Sequence, residues 1–272
     1  MPFFRKMITG ANWKIYKKTC SEVKQFVKEL KNDIDKFRTD LIDAYILPDP
    51  VCLQSLIDEL GDYPISYGTQ DIFWEDSGSY TGEISPLVLK DLGCKYVFIG
   101  HSERRKYFGE TDITINKKIH ACYRNNINPI LLIGESAEER QKNITMDVIR
   151  KQLRTGLDGI PPEFLSEIAL VYEPVWAIGQ KDSASIKIIE ESHLMVRELL
   201  SSLYNPDISN STRILYGGSV NTKNGIDIIK IPDVDGLAIT RGALDADNFA
   251  DFIRMTEAEA KKRSGTRPTN NI

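Results

Sequence analysis

Residues 168–179 read IALVYEPVWAIG. Ile168 to Val171 form a short apolar run, the pattern of a strand buried on both faces. A lone carboxylate, Glu173, follows, and then Pro174, which cannot donate to a strand ladder. Seven other runs of this kind recur along the chain: RKMITG from Arg5, LIDAYIL from Leu41, PISYGT from Pro64, KYVFIG from Lys95, NPILLIG from Asn128, TRILYGG from Thr212 and VDGLAIT from Val234. The segments between them carry helical spacing. In SEVKQFVKELKNDI, Val23, Phe26, Val27, Leu30 and Ile34 share one face. SPLVLKDLG has Pro86 near its start and Gly93 at its end; ITINKKIHACYRNN, MDVIRKQLRTGL, IKIIEESHLMVRELL, TKNGIDIIK and DADNFADFIRMTEAEAKK follow in order. This alternation of strand and helix predicts parallel strands joined by right-handed crossovers. Eight units in roughly 250 residues fit a single α/β domain, a closed (β/α)8 barrel of eight parallel strands spanning residues 1–263. A doubly wound open sheet competes, but no G-x-G-x-x-G follows the first strand. The polar stretch SGTRPTNNI, residues 264–272, is expected to be a disordered tail.

The chain has 272 residues, 41% hydrophobic and 27% charged, enough apolar material for a substantial core. A formal net charge of −4 argues against a general binder of nucleic acid or anionic membranes. No apolar stretch approaches the roughly 20 residues of a membrane span, and MPFFRKMITG lacks a long apolar h-region. A cytoplasmic location is therefore expected. Cys20, Cys52, Cys94 and Cys122 are scattered without a C-x-x-C pair, so they read as reduced packing thiols rather than disulfide or zinc ligands.

In such a barrel chemistry sits where strands end at the C-terminal rim. The first run ends in Asn12 and Lys14, the third in Gln70 and Asp71, the fourth in HSERR from His101, the sixth in Glu173 and the seventh in YGGS from Tyr216. A carboxylate at an ordinary strand exit is usually solvated, but Glu173 is walled by Pro174, Val175 and Trp176, which can orient it as a base. His101 alone could simply cap its strand; beside Glu173 and Lys14 it reads as a proton donor to a substrate oxygen. Glu103 lies near Lys14 and could hold its ammonium in place. Ser102 could cap a helical turn with its hydroxyl, while Arg104 and Arg105 read either as a solvated cluster or as partners of a neighbouring loop. In YGGS, Gly217 and Gly218 let the backbone approach a ligand, and Ser219 adds a hydroxyl and an N–H at a helix start, a phosphate cradle. Together these suggest proton transfer beside the carbonyl of a small phosphorylated sugar. No metal ligand set appears, and no cofactor is expected.

ANWK, TGEIS, IGHSERR, FGET, IGE, YEPVWAIG and ILYGGSV occur in order over nearly the whole chain, and this set resembles the triosephosphate isomerase family. The resemblance implies a TIM (β/α)8 barrel that interconverts dihydroxyacetone phosphate and glyceraldehyde 3-phosphate. It implies Glu173 as the base, His101 as the electrophile, and Lys14 and Asn12 as substrate binders, with Glu103 beside them. It also implies WAIGQKDSA as a closing lid with Gly179 on the phosphate, YGGS supplying Ser219, and Thr81 bracing the partner's site in a homodimer. Several features depart from the family. Thr240 and Arg241 in ITRGAL stand where it has two phosphate-binding glycines; either Arg241 grips the phosphate with its fork or a larger substrate fits. Gln180, Lys181, Asp182 and Ser183 replace the usual lid continuation. Asp71 stands where Asn is common, and Trp74 lies in FWEDSGSYTGE. That stretch and the Arg241 turn look similar to a sub-branch interconverting erythrulose 1-phosphate and erythrulose 4-phosphate. A barrel that only binds a sugar phosphate is a further alternative.

Overall fold

The computed structural model describes residues 4–180 and 182–265. Among them eight parallel strands close into a barrel in chain order: β1 (Met7–Asn12), β2 (Ile42–Leu47), β3 (Ser66–Thr69), β4 (Tyr96–Ile99), β5 (Asn128–Ile133), β6 (Ala169–Tyr172), β7 (Arg213–Gly217) and β8 (Gly236–Ile239). Every one falls within a run read as a strand or one to two residues beyond it. Closure is made by β8 against β1, with Ile8 opposite Gly236 and Ala11 opposite Ile239, so no sheet edge is left open.

The two faces of the strands do different work because side chains alternate along a strand. Ile8, Tyr45, Leu47, Tyr96, Phe98, Ile130, Leu132, Val171 and Leu215 fill the barrel interior, while Met7, Ile42, Ile46, Val97, Leu131, Leu170 and Ile214 pack outward against the helices. Carrying this register upward decides what reaches the rim. Ile8 and Gly10 lead to Asn12, and Ala169 and Val171 lead to Glu173, so both polar side chains emerge on the inner face.

The helices form where the spacing predicts. The first, Cys20–Asp33, is capped by Thr19, whose hydroxyl accepts from Glu22 N–H, and it buries Val23, Phe26, Val27 and Leu30 against the barrel. The last, Ala246–Gly265, runs two residues into the stretch expected to be a disordered tail; residues 266–272 lie outside the described residues. No described helix is long and apolar enough to cross a membrane.

The cysteine reading needs correction. Cys20 and Cys52 form a disulfide, with Cα atoms 5.1 Å apart. They stand 32 positions apart in sequence, but β1 and β2 are neighbours, so the segments that leave them meet on the same rim. The expectation that all four cysteines are reduced packing thiols is thereby overturned for this pair. Cys94 and Cys122 are buried free thiols, as read, and burial pushes the Cys94 thiol up to about 12.

Candidate active site

A cavity of about 670 Å³ opens at the C-terminal rim, lined by Asn12, Lys14, His101, Glu103, Glu173, Gly179, Gly217, Gly218, Ser219, Thr240 and Arg241 among others. Residues scattered over 230 positions of sequence are thus brought around one space. Thr81 is exposed and lies outside this lining.

Lys14 is held from several sides. Trp13, fully buried, donates its indole N–H to Ala243 O at 3.0 Å and packs edge-on against Phe26. The side-chain oxygen of Asn12 accepts from Lys14 N–H at 3.0 Å, and Gln70 donates to Lys14 O at 2.9 Å. Lys14 itself adopts φ +48°, a left-handed conformation that costs a residue with a Cβ about 1 kcal/mol and is tolerated only where surroundings enforce it. Its ammonium then reaches Glu103 at 2.6 Å, the ion pair expected from sequence.

His101 sits between β4 and the helix Ser102–Phe108. The cap of that helix is the imidazole, not the Ser102 hydroxyl: His101 Nδ1 accepts from Glu103 N–H at 3.1 Å. An accepting Nδ1 carries no proton, so in the neutral ring the hydrogen is on Nε2. The Glu103 carboxylate is also 3.7 Å from Nδ1, but it is already committed to Lys14, and the backbone N–H has the better geometry. Nε2 faces Glu173 Oε1 at 3.2 Å, and Ser102 N–H donates to Glu173 Oε2 at 3.2 Å. His101 is 7% and Glu173 6% exposed, so both act largely out of bulk water.

The backbone around Glu173 is packed just as closely. Glu173 N–H donates to Ile133 O at 2.8 Å, extending the β5–β6 pairing by one residue. This lays its carbonyl over Gly134, where a Cβ would lie 1.9 Å from Glu173 O. Beyond Pro174, Trp176 donates to Glu135 Oε1 at 2.9 Å. Glu135 is fully buried and also receives the Tyr172 hydroxyl and Arg140. Sequence reading does not isolate Glu135 as a supporting residue: in the β5–β6 register it lies one position beyond Gly134, the residue opposite Glu173, and so points away from the barrel interior.

Ser219 is placed differently from expectation. The helix after β7 begins at Thr222 with Asn221 as its cap, whose side chain accepts from Lys223 and Asn224 N–H; Asn is the stronger cap here, and Ser219 is left in the loop. Its hydroxyl points to the segment after β6, 2.7 Å from Gln180 O and 3.1 Å from Ala177 O. Gly179 in that segment has φ +73°, favourable for glycine, with open space where a Cβ would be. Arg241 Nη2 donates to the same Gln180 O at 3.0 Å.

Arg104 and Arg105 are paired rather than solvated. Arg104 meets Asp71 at 2.8 Å, and Arg105 meets Asp112 at 2.6 Å. Asp71 also meets Lys118 at 2.6 Å, and burial raises its carboxyl above the usual range. Among the described residues no group of three or more His, Cys, Asp or Glu is placed to hold a metal ion.

The triosephosphate isomerase family model matches residues 7–256. The triosephosphate isomerase of Dictyoglomus turgidum is 42% identical over 250 residues, 92% of this chain and 99% of that protein. That of Moorella thermoacetica is 39% identical over 253 residues, 93% of this chain and 100% of that protein. That of Finegoldia magna is 41% identical over 251 residues, 92% of this chain and 98% of that protein. The match spans all eight strands and the rim residues described above, and on that ground the chain is an isomerase that belongs to the triosephosphate isomerase family.

Proposed function

We propose that the protein interconverts dihydroxyacetone phosphate and glyceraldehyde 3-phosphate by proton transfer. The observation that supports this most is the placement of a buried carboxylate, Glu173, 3.2 Å from the Nε2 of His101, whose Nδ1 accepts from Glu103 N–H. Glu173 takes a proton from the carbon beside the carbonyl; the electron pair of that C–H bond moves to form an enediolate. His101 Nε2–H donates to the carbonyl oxygen as charge develops there, and the Lys14 ammonium stabilises the same oxygen. Glu173 then returns the proton to the neighbouring carbon, and the hydroxyl hydrogen passes between the two oxygens through His101. One carbon is oxidised and its neighbour reduced within the same molecule, so no external oxidant or reductant is needed and no atom is lost. Asn12 contributes to substrate binding, and Glu103 positions Lys14.

The phosphate is assigned to the space among Gly179, Gly217, Gly218, Ser219, Thr240 and Arg241, with 176–184 as the lid over it. Thr81 is assigned to a homodimer contact, and the protein to the cytoplasm. The Thr240–Arg241 turn favours one second reading, a four-carbon ketose phosphate with the same base. Measuring kcat/KM on glyceraldehyde 3-phosphate and erythrulose 1-phosphate with one preparation tests both. A triose preference of tenfold or more supports the proposal; the reverse preference replaces the substrate, and no turnover of either removes the reading.

A further inference from the structure

The lid segment is tied down in an unusual way: one of its carbonyl oxygens, Gln180 O, is shared by two donors from different loops. Ser219 Oγ, after β7, lies 2.7 Å away, and Arg241 Nη2, after β8, lies 3.0 Å away. The two cations in the cavity lining, Lys14 and Arg241, differ in their company. Lys14 is neutralised by Glu103 at 2.6 Å, whereas Arg241 has no carboxylate within 4.0 Å among the described residues. Arg241 therefore brings an uncompensated positive charge to the rim, on a planar head that carries five N–H donors. The Gln180 carbonyl takes only one of them.

We propose that Arg241 is a latch that makes lid closure depend on the anionic end of the substrate. One edge of the guanidinium holds the lid carbonyl while its remaining donors bind a phosphate dianion in the cavity. A single rigid group then reads both partners, and each strengthens the placement of the other. Lysine cannot do this, because an ammonium is a point charge on a flexible stem without the fork. Arg241 is thus a positioning and specificity residue, acting on the reacting atoms only through the lid. The inference rests on the isomerase reading for the identity of the ligand's anionic end.

The test compares wild type, R241K and R241M by inorganic phosphate titration calorimetry, by hydrogen exchange of a lid peptide covering 174–185 at saturating phosphate, and by kcat and KM on glyceraldehyde 3-phosphate. Arg241 is exposed, so the fold is expected to survive in both variants, as far-UV circular dichroism can verify. Phosphate is expected to slow lid exchange in the wild type. R241M should weaken phosphate binding tenfold or more, lose the lid protection even at saturation and raise KM. R241K should recover most of the affinity but not the protection. Lid protection retained in R241M, or fully restored in R241K, overturns the latch. A wild type inactive on the triose but protected by phosphate through Arg241 would sink the triose reading alone; an active wild type matched by R241M in every readout would sink the latch alone.

Discussion

Replacing Gly134 by Ala should cripple turnover although Gly134 carries no chemistry. The new Cβ would lie 1.9 Å from Glu173 O, where real Cβ contacts essentially never fall under 3.0 Å, so the two backbones must part by about 1.1 Å, the difference between those distances. Gly134 cannot yield easily, because Gln152 donates to its carbonyl at 3.0 Å and accepts from its N–H at 2.9 Å. The displacement therefore falls largely on Glu173. A misplacement of about 1 Å at a catalytic group costs on the order of a hundredfold in rate, and overpacking costs about 1–3 kcal/mol of stability. A coupled assay on glyceraldehyde 3-phosphate should show kcat down roughly a hundredfold with KM little changed, and a melting midpoint lowered by a few degrees. Turnover within threefold of the wild type would refute the claim that the β5 exit fixes the base.

Other consequences follow from single contacts. His193 is fully buried between Tyr172 and Tyr216, and burial lowers its imidazole from 6.5 to about 4. The folded state thus favours the neutral ring, so its contribution is complete above about pH 6.5 and is lost as pH falls toward 4. That loss amounts to about 3 kcal/mol across the window; H193F should flatten the slope of unfolding free energy against pH there, and an unchanged slope would count against it. The Cys20–Cys52 bond closes a 32-residue separation, which corresponds to roughly 3–4 kcal/mol in the chain-entropy account. Reductant should lower the midpoint of the oxidised wild type by roughly 10 °C and leave C20S unaffected; equal midpoints with and without reductant would contradict it. E103Q removes the partner that holds Lys14, and for an ion pair this exposed the loss should be about tenfold in kcat/KM rather than complete. A thousandfold loss would instead give Glu103 a chemical role.

The barrel was legible because strand alternation is a strong signal repeated along the chain, and because Asn12 and Glu173 stand in register with apolar residues two and four positions earlier. Their inward direction follows from the period of two alone. What escaped the sequence depends on through-space partners. The cap of the helix after β4 is His101 rather than Ser102, since only the fold shows that Nδ1 faces Glu103 N–H. Ser219 looked like a helix start, yet Asn221 three residues from Asn224 forms the better cap. Cys20 and Cys52 seemed unrelated because strand order does not show how far the segments beyond β1 and β2 run before the two cysteines meet. Glu135 was hidden for a similar reason: a buried carboxylate becomes sensible only once Tyr172, Trp176 and Arg140 converge on it.

The central claim is that Glu173 moves the proton, and the most direct measurement is turnover of glyceraldehyde 3-phosphate in deuterium oxide by wild type and E173Q. The amide keeps the shape and can still accept from Ser102 N–H, but it has no basic oxygen. Proton transfer by a positioned base contributes about 10² to 10⁴-fold, so E173Q should fall by that much in kcat, with deuterium appearing on the product carbon only at the residual rate. Turnover and deuterium incorporation within tenfold of the wild type would contradict the assignment.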